Sequence, residues 1–140
     1  THMLQIDSDL GWSPDAPRKM LKEDKPFIGG VYPLRADCPA FPIKRDGERV
    51  TGLPGGFMMI RRDVIEKLST TTYKTSTLQF GELEVSPLFT REFKDGGYVG
   101  EDYAFCNRVL NAGYELTAMP GIEFTHTGNK TWRGVYAGND

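Results

Sequence analysis

The chain has few of the residues that mark several large classes of protein. It contains two cysteines, Cys38 and Cys106, and two histidines among 140 residues. Two cysteines are too few for a disulfide framework, so we expect a reducing, cytoplasmic environment. We also expect no bond between them, because Cys106 falls on the apolar stripe of a predicted helix and Cys38 lies in a predicted loop. No apolar run approaches the roughly 20 residues that a membrane-spanning helix needs, and no signal peptide is recognisable. The sequence therefore favours neither a disulfide-rich secreted domain nor a membrane-spanning protein.

An excess of positive charge is also missing. Seventeen Lys and Arg residues stand against 19 Asp and Glu, which gives a net charge of −2. A domain without a basic field lacks the usual electrostatic footprint for binding phosphates of nucleic acid or an anionic membrane. The composition, 39% hydrophobic and 26% charged, is typical of a globular chain. Its length fits one domain or part of one.

Hydrophobic patterning predicts short strands that alternate with helices. Apolar runs predict buried strands at 3–6, 26–32 (interrupted by Gly29-Gly30) and 57–60. Helices are expected from Ser13, from Asp63 and over 101–112, and the last has one apolar stripe and a glycine after it. Residues 114–118 and 122–126 alternate like half-buried strands. A hairpin turn is expected at Asp46-Gly47, a flexible connection over 69–77, and an irregular tail over 129–140.

Two carboxylates follow the first predicted strand, in Asp7-Ser8-Asp9. Ligands in open α/β sheets bind at the carboxyl ends of strands. Two acids one residue apart in a turn can approach one hard cation, which keeps other coordination positions free for a diphosphate. The alternative is a simple turn, since Asp and Ser are common turn residues. The triplet is therefore a candidate metal site or a helix-capping turn.

Acids also begin the clearest helix, at Glu101-Asp102. Acids at a helix N-terminus are stabilised by the helix dipole, which is a sufficient structural explanation. The functional alternative is that one carboxylate removes a proton from an acceptor hydroxyl held within hydrogen-bonding distance. His126 has two interpretations of the same kind, as a hydrogen-bonded core residue or as a neutral ligand of a manganese ion.

Two further features suit ligand contact. Gly55-Gly56 precedes a predicted strand and allows either a turn or close approach of the backbone to a ligand. Trp12 and Trp132 have side chains that stack on sugar rings or pack in the core.

Taken in chain order, these pieces resemble the nucleotide-sugar-dependent glycosyltransferases of the GT-A fold, near the large family 2 group. The resemblance extends from residue 1 to about residue 128, and it is stronger as an ordered set than in any single motif. The matching segments are Asp7-x-Asp9, Gly29-Gly30 with Tyr32-Pro33, Pro54-Gly55-Gly56-Phe57 with Arg61-Arg62, Gly100-Glu101-Asp102-Tyr103-x-Phe105, and His126-x-Gly128.

The resemblance implies a role for each candidate residue. It implies that Asp9 and His126 bind the metal, manganese or magnesium, with Asp7 nearby and close to the donor sugar or ribose. It implies that Gly55 and Gly56 lie along the donor sugar and acceptor. Asp102 becomes the catalytic base of an inverting enzyme, with Glu101 as neighbour or substitute. Trp12 joins the donor and acceptor contacts as a sugar-stacking candidate.

The implied fold is α/β, a mixed sheet flanked by helices that forms the C-terminal, acceptor-side part of a GT-A fold over 1–128. Enzymes of this fold carry further strands and helices before the Asp-x-Asp strand, and these supply most of the nucleotide pocket. We therefore expect a fragment of a longer enzyme, or a reduced protein that associates with itself or with a separate N-terminal part. The expected reaction moves a sugar from a nucleotide-diphosphate donor to a hydroxyl acceptor.

Two other functional classes are compatible with the same residues. One is a non-catalytic carbohydrate- or nucleotide-binding module that keeps the fold. The other is a nucleotidyltransferase, which also binds a diphosphate through a metal ion held by Asp residues. The second is disfavoured because a glycine-rich loop with Lys or Arg is missing near residue 1.

Overall fold

A computed structural model describes residues 1–37, 40–94 and 96–138. Three helices lie in this part of the chain: α1 Ala16–Lys22, α2 Arg62–Leu68 and α3 Glu101–Asn111. The strands are β1 His2–Ile6, β2 Leu10–Trp12, β3 Phe27–Gly30, β4 Lys44–Asp46, β5 Arg49–Gly52, β6 Phe57–Arg61, β7 Tyr73–Thr77, β8 Gly81–Val85, β9 Glu92–Lys94, β10 Gly97–Val99, β11 Thr117–Met119, β12 Glu123–Thr127 and β13 Thr131–Val135. Across these ranges, no helix has the length and apolar character to cross a bilayer.

The central sheet has four strands in the order β1-β6-β3-β11. Strand β6 runs antiparallel to both β1 and β3, whereas β11 runs parallel to β3. Strands β1, β3 and β11 therefore point the same way, and the sheet is mixed. Helices and this sheet together confirm the predicted α/β class.

Strand β6 is the centre of the core because both of its faces are covered. Met58 and Ile60 point into one apolar cluster with Val64 of α2 and Phe105 of α3. Phe57 and Met59 point into a second cluster, whose other members include residues of α1 and β12: Ala16, Met20 and Phe124. Alternate residues of a strand face opposite sides of the sheet, so a continuous apolar run is what a strand covered on both faces requires.

The second cluster is closed by a small sheet in the order β13-β12-β2. Strand β12 pairs antiparallel with both neighbours, and His126 lies opposite Trp132 on one side and Leu10 on the other. Segment 129–140, expected to be an irregular tail, thus contains β13, and the side chain of Tyr136 is 1% exposed. The sequence pattern missed this strand because its burial alternates only weakly.

The second strand, expected over 26–32 with an interruption at Gly29-Gly30, ends at these glycines. They are the last two residues of β3 and both are buried. A Cβ on Gly30 would lie 2.4 Å from Cζ of Phe124, and one on Gly29 would lie 3.0 Å from Cδ1 of Leu53. The glycines therefore allow neighbouring side chains to pack directly on the strand.

The helix starts also differ from the expected positions. Helix α1 begins at Ala16, and Pro17 lies in its first turn. The N–H groups of a first turn have no hydrogen-bond partner within the helix, so a proline there removes no helical hydrogen bond. Helix α2 begins at Arg62, so Asp63 lies in the first turn instead of capping it, and both its oxygens accept hydrogen bonds from Arg61. Segment 69–77, expected to be irregular, contains β7, which pairs with β8 in an exposed hairpin.

Other local expectations are confirmed. The turn at Asp46-Gly47 joins β4 to β5, with Gly47 at a φ of 59°. Helix α3 covers almost the whole predicted range and buries Phe105, Cys106 and Val109. Strand β1 is confirmed in position but is only half-buried, because within the described residues its one partner is β6.

Candidate functional site

Several predicted site residues meet where β1 and β3 end and β6 begins. Asp7 follows β1, Tyr32 lies two residues after β3, and Gly55-Gly56 precedes β6. Because β6 is antiparallel to its two neighbours, its start lies beside their ends. The backbone N–H of Asp7 donates to the Gly56 carbonyl at 2.9 Å, and the Gln5 amide donates to the Gly55 carbonyl at 3.0 Å.

Asp102 reaches this edge from the first turn of α3. Its Oδ2 accepts a hydrogen bond from the Gly55 N–H at 2.9 Å. A Cβ on Gly55 would lie 2.3 Å from Oδ1 of Asp102, so the approach requires glycine. Burial raises the pKa of Asp102 despite this hydrogen bond, and the nearby charges of Glu101 and Asp7 raise it further. Asp102 is therefore a stronger proton acceptor than an exposed aspartate.

Glu101 has a different environment from its neighbour. Its Oε2 lies 3.1 Å from Nε of Arg91. Hydrogen bonds from its own backbone and from Arg91 lower the pKa of Glu101. Two adjacent acids whose pKa values are pushed in opposite directions have different chemical roles. Of the two, Asp102 is the one whose surroundings suit a general base.

Asp9 and His126 form a second group. Nε2 of His126 lies 3.6 Å from Oδ2 of Asp9, although the two residues are far apart in the chain. Nδ1 of His126 lies 2.9 Å from the carbonyl oxygen of Pro33. Donation from Nδ1 to that carbonyl leaves Nε2 as the ring nitrogen nearer to Asp9. The guanidinium of Arg35 pairs with the same Asp9 oxygen.

This pair meets part of what a divalent metal requires. An imidazole and a carboxylate are suitable donors for manganese, and two protein ligands leave positions for diphosphate and water. Among residues 1–37, 40–94 and 96–138, however, no group of three or more His, Cys, Asp or Glu is placed to hold an ion. Asp7 therefore does not complete the set, and a metal has to displace Arg35 from Asp9.

Tyr32 joins the two groups. Its hydroxyl accepts a hydrogen bond from the Gly56 N–H at 3.2 Å, and its ring meets the His126 ring edge-on at 5.2 Å. Burial raises the pKa of Tyr32, and the charges of Asp7, Asp102 and Asp9 raise it further, so the phenol stays protonated. All three carboxylates are thus electrostatically close to one buried ring.

Two of these residues had no role in the sequence interpretation. The sequence places Tyr32 only within a matching segment and indicates no role for Arg35. Tyr32 directly follows an apolar strand at the edge where ligands bind, which is a usable signal. Arg35 lies in a loop, and nothing in its spacing indicates contact with Asp9.

The remaining candidates are less clearly placed. Trp12 is 38% exposed and packs against Phe57, with ring centroids 5.3 Å apart. Cys106 is a free buried thiol, and burial raises its pKa to about 11, which makes it unreactive. The expectation that it forms no bond with Cys38 concerns a residue outside the described ranges. A cavity of about 490 Å³ beside β4, β5 and β11 is lined by none of the candidate site residues.

Comparison with known proteins supports the fold alone. No protein-family model and no curated protein matches the chain. A solved structure that it resembles is A197 from STIV, with 19% sequence identity and a TM-score of 0.57. The match covers 91% of this chain and 58% of A197, so the chain spans a little over half of that protein's length.

Proposed function

We propose that the chain is the acceptor-side part of a GT-A glycosyltransferase that moves a sugar from a nucleotide-diphosphate donor to a hydroxyl. The observation that carries the proposal is the contact of Tyr32 with both groups, through Gly56 to the Asp102 side and through its ring to His126. Glycosyl transfer needs a base for the acceptor and positive charge for the leaving diphosphate. Asp102 is suited to act as the base, and Asp9 with His126 is suited to hold the cation that would supply the positive charge.

Each residue then has a chemical task. Asp102 accepts the proton of the acceptor hydroxyl, and the Gly55 N–H holds its carboxylate in place. Asp9 and His126 would hold manganese or magnesium, and the ion would neutralise charge on the leaving diphosphate. Asp7, which follows β1 and donates its N–H to the Gly56 carbonyl, would contact the donor sugar or ribose. Arg35, once released from Asp9, can pair with a phosphate oxygen, because guanidinium groups bind phosphate bidentately.

One observation favours the alternative of a non-catalytic binding module. Arg35 already neutralises Asp9, and within residues 1–37, 40–94 and 96–138 the ligand set at this place is Asp9 with His126. A module that binds a sugar or nucleotide without turnover needs no third metal ligand. Strand β1 is the edge strand of the central sheet formed by the described residues, and that edge is equally compatible with pairing to a second copy or to a separate N-terminal part.

The direct test is donor cleavage by the 140-residue chain. Panels of UDP- and GDP-sugars are incubated with manganese, and released nucleoside diphosphate is measured before and after chelation. Cleavage that chelation abolishes supports the proposal. Binding of UDP or GDP without any cleavage, also in the presence of an N-terminal partner, favours the non-catalytic module. Failure to bind either nucleotide contradicts glycosyl transfer and nucleotide binding, and leaves only a module that binds carbohydrate.

Manganese affinity tests the second group separately. We expect Asp9→Asn and His126→Ala each to weaken Mn²⁺ binding by about tenfold or more, since each removes one of two ligands. Arg35→Gln is expected to strengthen binding, because it removes the cation that competes for Asp9. Titration followed by the electron paramagnetic resonance of free Mn²⁺ measures all three. Asp46→Asn, at an exposed acid in the β4–β5 turn, is the matched control. Equal affinities in all variants would place the metal elsewhere.

A further inference from the structure

The β9–β10 hairpin carries two exposed aromatic side chains just before α3. Phe93 is 86% exposed and Tyr98 is 55% exposed. The two residues are cross-strand partners, and their rings meet edge to face with centroids 5.7 Å apart. Side chains so exposed gain little from packing within the chain, and two adjoining exposed rings form an apolar surface on which another molecule can rest.

The base of this hairpin is attached to the helix that carries Asp102. Phe89 stacks on Phe105 of α3, with ring centroids 4.3 Å apart. From the same helix, Arg108 donates to the carbonyls of Leu88 and Thr90, at 2.6 and 3.1 Å. These contacts fix the chain just before β9 relative to α3. The aromatic pair therefore has a defined position relative to the proposed base.

Arg91 links the pair to the first turn of α3. Its guanidinium carbon lies 5.7 Å from the centre of the Tyr98 ring, and its Nε lies 3.1 Å from Oε2 of Glu101. Tyr98 and Glu101 thus share one cation, and Asp102 is the next residue along the helix. A molecule resting on Tyr98 has charged hydrogen-bonding groups at its edge, and one of them belongs to the same helical turn as the proposed base.

We propose that Phe93 and Tyr98 form a subsite that stacks a pyranose ring of the acceptor, a proposal that rests on the glycosyl transfer argued above. A pyranose has C–H groups on its face and hydroxyls around its edge. The C–H groups complement the negative face of an aromatic ring, and the hydroxyls complement Arg91 and Glu101. A purely apolar partner is less suitable, because it would have to desolvate that ion pair.

Saccharide binding without donor or metal tests the subsite independently of catalysis. The 140-residue chain is titrated with cellotriose, maltotriose, chitotriose and mannotriose, and contacts are detected by saturation-transfer nuclear magnetic resonance. We expect at least one trisaccharide to bind, and Phe93→Ala and Tyr98→Ala each to weaken its affinity by about tenfold. Tyr98→Phe keeps the ring and is expected to bind like the wild type. Tyr73→Ala, at an exposed aromatic of β7, is the matched control.

The outcomes separate this proposal from the proposed function. The subsite is supported if Phe93→Ala and Tyr98→Ala lose trisaccharide binding while Tyr98→Phe and Tyr73→Ala retain it. This holds even if no donor is cleaved. Donor cleavage with trisaccharide affinity unchanged in both variants overturns the subsite and leaves glycosyl transfer in place. Absence of trisaccharide binding overturns it as well, and capture by phosphatidylcholine vesicles that depends on Phe93 would then assign the pair to a lipid surface.

Discussion

Asp102→Asn is expected to lower the rate of sugar transfer by about 10²–10⁴-fold, the usual contribution of a general base. The asparagine side-chain oxygen can still accept the hydrogen bond that Gly55 donates to Asp102. Donor binding is therefore expected to stay close to that of the wild type, so the loss falls on kcat. Steady-state kinetics with manganese, together with a donor titration, separate the two effects.

Glu101→Gln is the matched control for this substitution. It removes a neighbouring carboxylate that Arg91 neutralises, and we expect a small effect on kcat. Full turnover in Asp102→Asn combined with loss in Glu101→Gln would move the role of base to Glu101. Wild-type turnover in both Asp102→Asn and Glu101→Gln would contradict a carboxylate base at this helix.

The raised pKa of Asp102 also gives a pH dependence with a defined sign. Asp102 must be ionised to accept a proton, so kcat/KM is expected to rise with pH. The midpoint of this rise is expected at a pH above 3.8, the ordinary pKa of aspartate. Because its folded-state pKa is above the unfolded value, the contribution of Asp102 to stability is full at low pH and is lost as pH rises through the folded-state pKa. Asp102→Asn should therefore not lower the free energy of unfolding at neutral pH.

Gly55→Ala is expected to have the second largest effect, a loss of about 10²-fold in the rate of transfer. The reason is that the added methyl group displaces the carboxylate of Asp102 by roughly 1 Å. The added Cβ would lie 2.3 Å from Oδ1 and 2.6 Å from Cγ of Asp102. The carboxylate is the end of a flexible side chain, so we expect it to move while the sheet remains intact. Kinetics and thermal unfolding of the same sample check both expectations.

Gly100→Ala provides the control for Gly55→Ala. Its added methyl group would meet nothing within 4 Å, and the φ of Gly100 is −60°, which any residue adopts. We expect transfer close to the wild type and a slightly lower thermal midpoint, because Gly100 is the N-cap of α3 and alanine is a poorer N-cap residue than glycine. A loss in Gly100→Ala as large as that in Gly55→Ala would show that any added methyl group near α3 disturbs the site, and contact with Asp102 would no longer explain the result.

Local patterns predicted the elements whose burial is strong and continuous. Strand β6 and helix α3 were predicted almost to the residue, because an unbroken apolar run and an apolar helical stripe leave few alternatives. Strands β7 and β13 were missed, since β7 is exposed throughout and β13 alternates only between exposed and half-buried positions. Glycines 29 and 30 were misread because the side chains that need their space come from distant parts of the chain.

The sequence by itself determined the α/β class, the acids at the end of β1 and at the start of α3, and the glycines before β6. These features depend on neighbours along the chain, and such local preferences are visible in the order of residues. Only the tertiary structure decided that Asp102 reaches Gly55, that His126 meets Asp9, and that Tyr32 lies between the two groups. It also decided that Asp102, and not Glu101, has the raised pKa, because burial and a guanidinium partner are properties of three-dimensional packing.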